Sequence, residues 1–169
     1  PFKPMLYKHP VLPYDYKSWD MNHIWLHKQP LSLWMMALSI KIFGNNIWAV
    51  RLVSLLVSTI LIYIVHLIGK TLFNQKIGLI SAYLFAINGF VLEIGSGRAS
   101  TDHVDLAFLF YISLATLFAI LGAAKRSWIY TSLVGMFIGF AILTKWLPAL
   151  IVLPIWILAC LHYKRVWPF

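Results

Sequence analysis

Two stretches of the chain hold residue types that could do chemistry. The first, His23-Ile-Trp-Leu-His27-Lys28-Gln29-Pro30, sets two imidazoles four residues apart. On a helix that spacing puts both rings on one face, where they could share a metal ion, and Lys28 beside them is a compact cation able to hold a phosphate as a point charge. Two histidines make an incomplete metal site, and the plainer alternative is that His23, His27 and Lys28 are solvated at an interface. The second stretch, Glu93-Ile-Gly-Ser-Gly-Arg98-Ala-Ser-Thr-Asp102-His103-Val-Asp105, gathers three of the chain's five acids with an arginine and a histidine in thirteen residues. Gly95 and Gly97 let the backbone turn, after which Thr101 or Asp102 can open a helix. Capping explains Asp102 and an ion pair with Glu93 explains Arg98, whereas a charged cleft would employ the whole cluster. Lys145, within Leu143-Thr-Lys-Trp-Leu-Pro148, is a further cation that either meets an anion or anchors a loop beside an interfacial Trp146.

The elements that must position these residues follow from composition. Of 169 residues, 61% are hydrophobic and only 11% charged, and mean hydropathy is +0.80. A soluble domain draws about a quarter of its residues from Asp, Glu, Lys and Arg, so these charges are too few to solvate a globule of this size, and disorder is excluded on the same ground. Formal charges are absent from 52–69, 77–92, 106–124, 127–144 and 146–163, windows of 16 to 19 residues. At about 1.5 Å per helical residue each window matches the roughly 30 Å hydrocarbon layer. In lipid only helices and closed barrels satisfy their backbone groups, and the period of two that a barrel needs is missing. The expected fold is therefore all-α, a polytopic transmembrane helical bundle with five spans at about 48–69, 77–95, 104–124, 127–144 and 147–163.

Short connections force the spans to alternate in direction. One face then receives Lys70, Lys76, Lys125, Arg126, Lys164 and Arg165 with no acid; the other receives eight cations and all five acids. Short, purely basic loops weigh most in the positive-inside rule, which makes the first face cytoplasmic and the second extracytoplasmic. Residues 1–46 form an extracytoplasmic loop, of which 1–29 are too polar to span. Within it 31–43 reads as a helix, entered after Pro30 and stopped at Gly44-Asn45-Asn46. Thirteen residues reach only about 20 Å, so an interfacial helix is expected there. The net charge of +9 is spread over both faces rather than gathered in a polar patch, and no nucleic-acid partner is expected. Cys160 alone forms neither an internal disulfide nor a cysteine-based zinc site. A chain opening Pro1-Phe2-Lys3-Pro4 and stopping at Trp167-Pro168-Phe169 reads as a piece of a longer protein.

In order, His27-Lys28-Gln29-Pro30-Leu31-Ser-Leu-Trp34, Lys41-Ile-Phe-Gly44, Trp48-Ala-Val-Arg51-Leu, Asp102 at the opening of a span and Leu143-Thr144-Lys145 resemble the GT-C integral-membrane glycosyltransferases. The nearest type is the branch of protein O-mannosyltransferases and the lipid A aminoarabinose transferase. The resemblance runs from about residue 10 to the end. It implies a hexosyl- or pentosyl-transferase of the cell envelope, in a bacterial inner or plasma membrane, that uses a polyprenyl-phosphate-linked sugar donor and a lipid or protein acceptor at the extracytoplasmic face. Lys28 matches the lysine of the family's donor-phosphate segment, with Gln29 in place of its first proline. His27 stands where some members carry an acidic metal ligand; the resemblance does not by itself carry a metal over to a histidine, and a divalent ion at His27, with His23 added by its four-residue spacing, is the one cofactor considered. Asp102 matches an acid lining the family's cleft and is expected to support catalysis by orienting the acceptor or a cation. Lys145 matches the Leu-Thr-Lys turn and, with Arg98, would assist Lys28 on the phosphate. The family's main catalytic acid lies at the end of a span that would precede Pro1, so the piece alone is expected to be inactive.

Two other classes remain open. A polytopic transporter or channel segment would put Glu93, Arg98 and Asp102 along an ion path, and should show polar or broken helices near mid-membrane. A non-catalytic assembly subunit would tolerate substitution at Lys28 and Asp102. Gathering of the ionisable groups at one rim favours chemistry on a lipid headgroup.

Overall fold

The computed structural model describes residues 29–96 and 103–164, and every element in them is helical. Helix α1 (Leu31–Phe43) covers the expected 31–43. It starts after Pro30, whose fixed φ suits a helix entry, and ends at Gly44, whose φ of 84° is open to glycine; the Gly44 N–H donates to the Ile40 carbonyl at 2.9 Å. Helix α2 (Ile47–Leu72) is capped by Asn46, whose side chain accepts from the Ala49 N–H at 2.8 Å. Asn74 caps α3 (Gln75–Ala86) in the same way, through Ile77 N–H at 3.0 Å. After α4 (Gly89–Ser96), helices α5 (His103–Lys125) and α6 (Trp128–Lys145) form an antiparallel pair, the most extensive helix contact in the bundle. A 3₁₀ turn (Leu147–Ile151), with Pro148 in its first turn, leads into α7 (Val152–His162).

The expected span 77–95 is not one straight helix: α3 and α4 meet at a bend of 56°. Asn88 causes it. Its backbone stops donating in the α3 register, and its side chain accepts from the Val91 N–H at 3.2 Å, starting α4 afresh. Among the described residues three helices, α2, α5 and α6, are long and apolar enough to cross a membrane, or four when the bent α3–α4 pair is taken as one span. The 3₁₀ turn and α7 fill the window expected at 147–163; their sixteen residues extend about 27 Å, close to one hydrocarbon thickness. The chain is an integral membrane protein of the all-α, polytopic kind.

Small residues let the helices approach, as lipid offers no hydrophobic drive for association. Ala115 and Ala119 of α5, Val134 and Ile138 of α6 and Val152 of α7 share one buried cluster, while Val57 and Leu61 of α2 meet Ile94 of α4 and Leu106 of α5 in another. Gly69 of α2 and Gly78 of α3 bring those two backbones into direct contact. Large apolar residues such as Leu79, Ile80, Tyr83 and Leu84 point outward instead, as lipid-facing side chains should.

Candidate functional site

The alternation of the helices gathers the polar chemistry at one end of the bundle. Arg51 lies in the first turns of α2, Glu93 and Ser96 in α4, Asp105 in the first turn of α5, and Lys145 is the last residue of α6. At the opposite end lie Lys70, Lys76, Lys125, Arg126 and Lys164, the described members of the basic tier, and there the Tyr163 hydroxyl of the α7 end donates to the Thr71 carbonyl of α2 at 3.4 Å.

At the first end the structure makes two bridges that join elements far apart in sequence. The Lys145 ammonium pairs with the Asp105 carboxylate, closing the open end of the α5–α6 hairpin; both side chains stay substantially in solvent, at 48% and 40% exposure. Arg51 Nη1 donates to the Ser96 carbonyl at 3.0 Å, tying the start of α2 to the end of α4, and the Ser96 hydroxyl donates in turn to the Glu93 carbonyl at 3.2 Å. A carbonyl at a helix C-terminus carries part of the helix's negative pole, so a guanidinium is well placed on it.

Helix α1 is fastened over this end. Ser39 is buried and its hydroxyl donates to the Ala49 carbonyl of α2. The Tyr111 hydroxyl donates to the Met35 sulfur at 3.1 Å. Leu31 and Met35 pack against the cluster of Ala107, Tyr111, Ala141 and Ala149. Ala107 is two residues from Asp105 and Ala141 one turn from Lys145, so the start of α1 lies beside the ion pair.

Of the sequence-predicted site residues, Lys145 is in the described structure and has Asp105 as its partner. Lys28, His23, His27, Arg98 and Asp102 lie outside the described residues, as does the side chain of His103. Glu93 is exposed on α4, at the same end as Lys145. Among the described residues no group of three or more His, Cys, Asp or Glu stands together in a way that could hold a metal ion. The sequence puts Arg51 at the acid-bearing end of the bundle without giving it a role. The signal for its role, a cation one turn inside a helix whose N-terminus needs none, becomes legible only when the Ser96 carbonyl is in view.

Trp146 follows Lys145 with φ 63° and ψ −138°, outside the compact left-handed well and in a region that favours glycine. Such a conformation in a bulky residue costs about 1–3 kcal/mol. It lets the Trp146 N–H donate to the Ile142 carbonyl at 2.8 Å while its own carbonyl accepts from Ala149 at 3.2 Å, so the chain reverses in one residue.

A groove of about 220 Å³ opens where the α3–α4 bend leaves α2. It is lined by Leu55, Ser58, Thr59, Ile62, Phe85, Ala86, Val91, Leu92, Gly95 and Ser96, none of them ionisable. The Ser58 and Thr59 hydroxyls are spent on the Leu55 carbonyl, at 3.0 and 2.7 Å.

Known proteins resemble this chain over most of its length. An undecaprenyl phosphate-alpha-4-amino-4-deoxy-L-arabinose arabinosyl transferase of Pseudomonas savastanoi pv. phaseolicola is 28% identical over 150 residues, covering 81% of this chain and 27% of the relative. The transferase of the same name from Pseudomonas aeruginosa (strain UCBPP-PA14) is 29% identical over 143 residues, 77% of this chain and 25% of its own length. A second such transferase of Pseudomonas fluorescens is 30% identical over 158 residues, 86% of this chain and 28% of its own. The chain thus spans about a quarter of the length of these relatives. No solved structure matches. The family model for dolichyl-phosphate-mannose-protein mannosyltransferases matches residues 27–168, from His27 through the last helix, and the chain belongs to that family, in agreement with the GT-C resemblance of its ordered motifs.

Proposed function

We propose that this chain is part of a longer membrane glycosyltransferase that moves a sugar from a polyprenyl-phosphate donor to a lipid or protein acceptor at the extracytoplasmic face of a bacterial plasma membrane. The observation that carries the reading is the asymmetry of the bundle. Both described acids, Glu93 and Asp105, stand at the end that also holds Arg51 and Lys145, and the start of α1 leads there; the opposite end is purely basic. In the sequence Lys28 stands three residues before Leu31, the first residue of α1. The family and the names of the Pseudomonas relatives supply the donor class.

In this transfer the bond between the sugar's anomeric carbon and the phosphate oxygen breaks, and the acceptor's hydroxyl or amine oxygen or nitrogen takes the carbon and loses a proton. The leaving phosphate needs cations, which Lys28 supplies with Arg98 and Lys145 assisting; the proton needs a carboxylate, expected upstream of Pro1, with Asp102 orienting the acceptor or a cation. A divalent ion at His27 and His23 would have two of the four ligands a closed zinc site takes, and the transfer proposed here runs on the chain's own charges. The bend at Asn88 is a feature shared with transporters, whose broken helices carry ion sites, but the groove it opens has no ionisable lining.

The decisive experiment is transfer from undecaprenyl-phosphate-linked pentose and hexose donors by the full-length protein in membranes; turnover of neither would refute the reading. Orientation is tested separately. A cysteine replacing Ser100 should react with a membrane-impermeant maleimide added outside intact cells, and one replacing Asn74, in the α2–α3 connection, should react only after permeabilisation. The reverse pattern would put the acid-bearing end in the cytoplasm.

A further inference from the structure

Three tryptophans are widely exposed among the described residues: Trp48 at 77%, Trp128 at 70% and Trp146 at 60%. Trp48 and Trp128 open helices α2 and α6 with ordinary helical backbones, one at each end of the bundle, and indoles there do what membrane-interface aromatics do. Trp146 is different. It occupies the glycine-favouring conformation described above, and an interface anchor gains nothing from that strain. The other two described non-glycine residues of positive φ, Arg126 and Lys164 at 52°, follow helix ends and carry flexible cations. Among the described residues, 146 alone holds a large flat ring on a strained backbone, and it does so next to the Lys145–Asp105 pair.

Resting on the glycosyltransferase reading, we propose that the Trp146 indole is the platform on which the sugar ring of the lipid-linked donor stacks, with Asp105 and Lys145 meeting its hydroxyl or amino substituents. The chemistry is complementary. The indole face carries the negative part of the ring quadrupole and meets the polarised C–H bonds of one sugar face. Asp105 offers acceptor oxygens and Lys145 donor protons, both still open to solvent and so able to exchange water for sugar. The reversal leaves the ring 60% exposed on the residue after Lys145, whereas a glycine would form the same turn with no ring.

The test uses the full-length protein and two probes, undecaprenyl phosphate carrying 4-amino-4-deoxy-L-arabinose and bare undecaprenyl phosphate. Wild type should bind the sugar-bearing lipid about tenfold more tightly than the bare one, a ratio within reach of a single aromatic contact. Trp146→Gly should erase that preference, leave bare-lipid affinity within about twofold, and melt at a higher temperature because the strain is gone. Trp146→Phe, which keeps a ring on the strained backbone, should keep most of the preference. The proposal is overturned if Trp146→Gly still prefers the sugar-bearing lipid, if it does not melt higher, or if Trp146→Phe loses the preference as completely as Trp146→Gly. Wild-type protein that binds neither lipid and transfers no sugar would instead bring down the glycosyltransferase reading beneath it.

Discussion

Lys28→Ala in the full-length protein should lower sugar transfer by about two to three orders of magnitude, the range seen when one preorganised group that stabilises developing negative charge is removed. Expression and membrane insertion should be unchanged, because Lys28 precedes the described helices in the sequence. Lys145→Ala should cost much less, roughly tenfold, since its ammonium is already paired with Asp105 and the pair presents little net charge to a phosphate. Stability should barely change in either case. The pair is about half exposed, and surface ion pairs contribute about 0–1 kcal/mol. Asp105→Asn then becomes informative: it removes the carboxylate that neutralises Lys145, and bare undecaprenyl phosphate should bind a few-fold tighter, with the gain disappearing as salt is raised above physiological strength. Wild-type turnover in Lys28→Ala, or an equal loss in Lys145→Ala, would show that the phosphate is held elsewhere.

Much of the fold was legible because lipid is a severe solvent. An uncompensated charge cannot lie in hydrocarbon, so the charge-free windows had to coincide with helices, and Ile47–Leu72, His103–Lys125 and Trp128–Lys145 each match an expected window to within a few residues at either end. Helix α1 was legible for a different reason: Pro30 and Gly44 mark its ends by local chemistry alone. The bend at Asn88 was not, because asparagine carries no formal charge and a charge-based reading passes over it. Asn88-Gly89 was the available signal, an N-cap residue and a permissive one set in an apolar run. Lys145 and Asp105 were each picked out as chemical, but nothing in a sequence pairs residues 40 apart; that pairing comes from the register of α5 on α6. The same holds for Arg51 and Ser96, 45 apart. Residue types and the face they occupy can be read from the chain, while which partner each one finds is set by helix packing.

Gly78→Leu should leave no correctly packed bundle. A Cβ at Gly78 would stand 2.7 Å from the His66 carbonyl oxygen and 2.8 Å from the Lys70 nitrogen, both backbone atoms of α2, and one at Gly69 would stand 2.9 Å from the Gly78 Cα. No rotamer relieves a clash with backbone, so the two helices must separate. Overpacking by a methyl typically costs about 1–3 kcal/mol, against which alanine recovers about 1 kcal/mol of helix propensity. Gly78→Ala is therefore expected to lower the melting temperature measurably and Gly78→Leu to abolish a folded, detergent-stable species. The separation would also carry away the turn that holds Asn74 and the α3 half of the bent pair, and with them the position of α4, whose Ser96 carbonyl holds Arg51. Loss of folding at Gly78 should thus be accompanied by loss of transfer. Gly89→Ala and Gly135→Ala supply the contrast, since a Cβ at either meets nothing within 4 Å. Both should melt at or slightly above wild type. A Gly78→Leu protein that melts with wild type, or a Gly89→Ala protein that falls as far, would mean that α2 and α3 do not meet through these glycines.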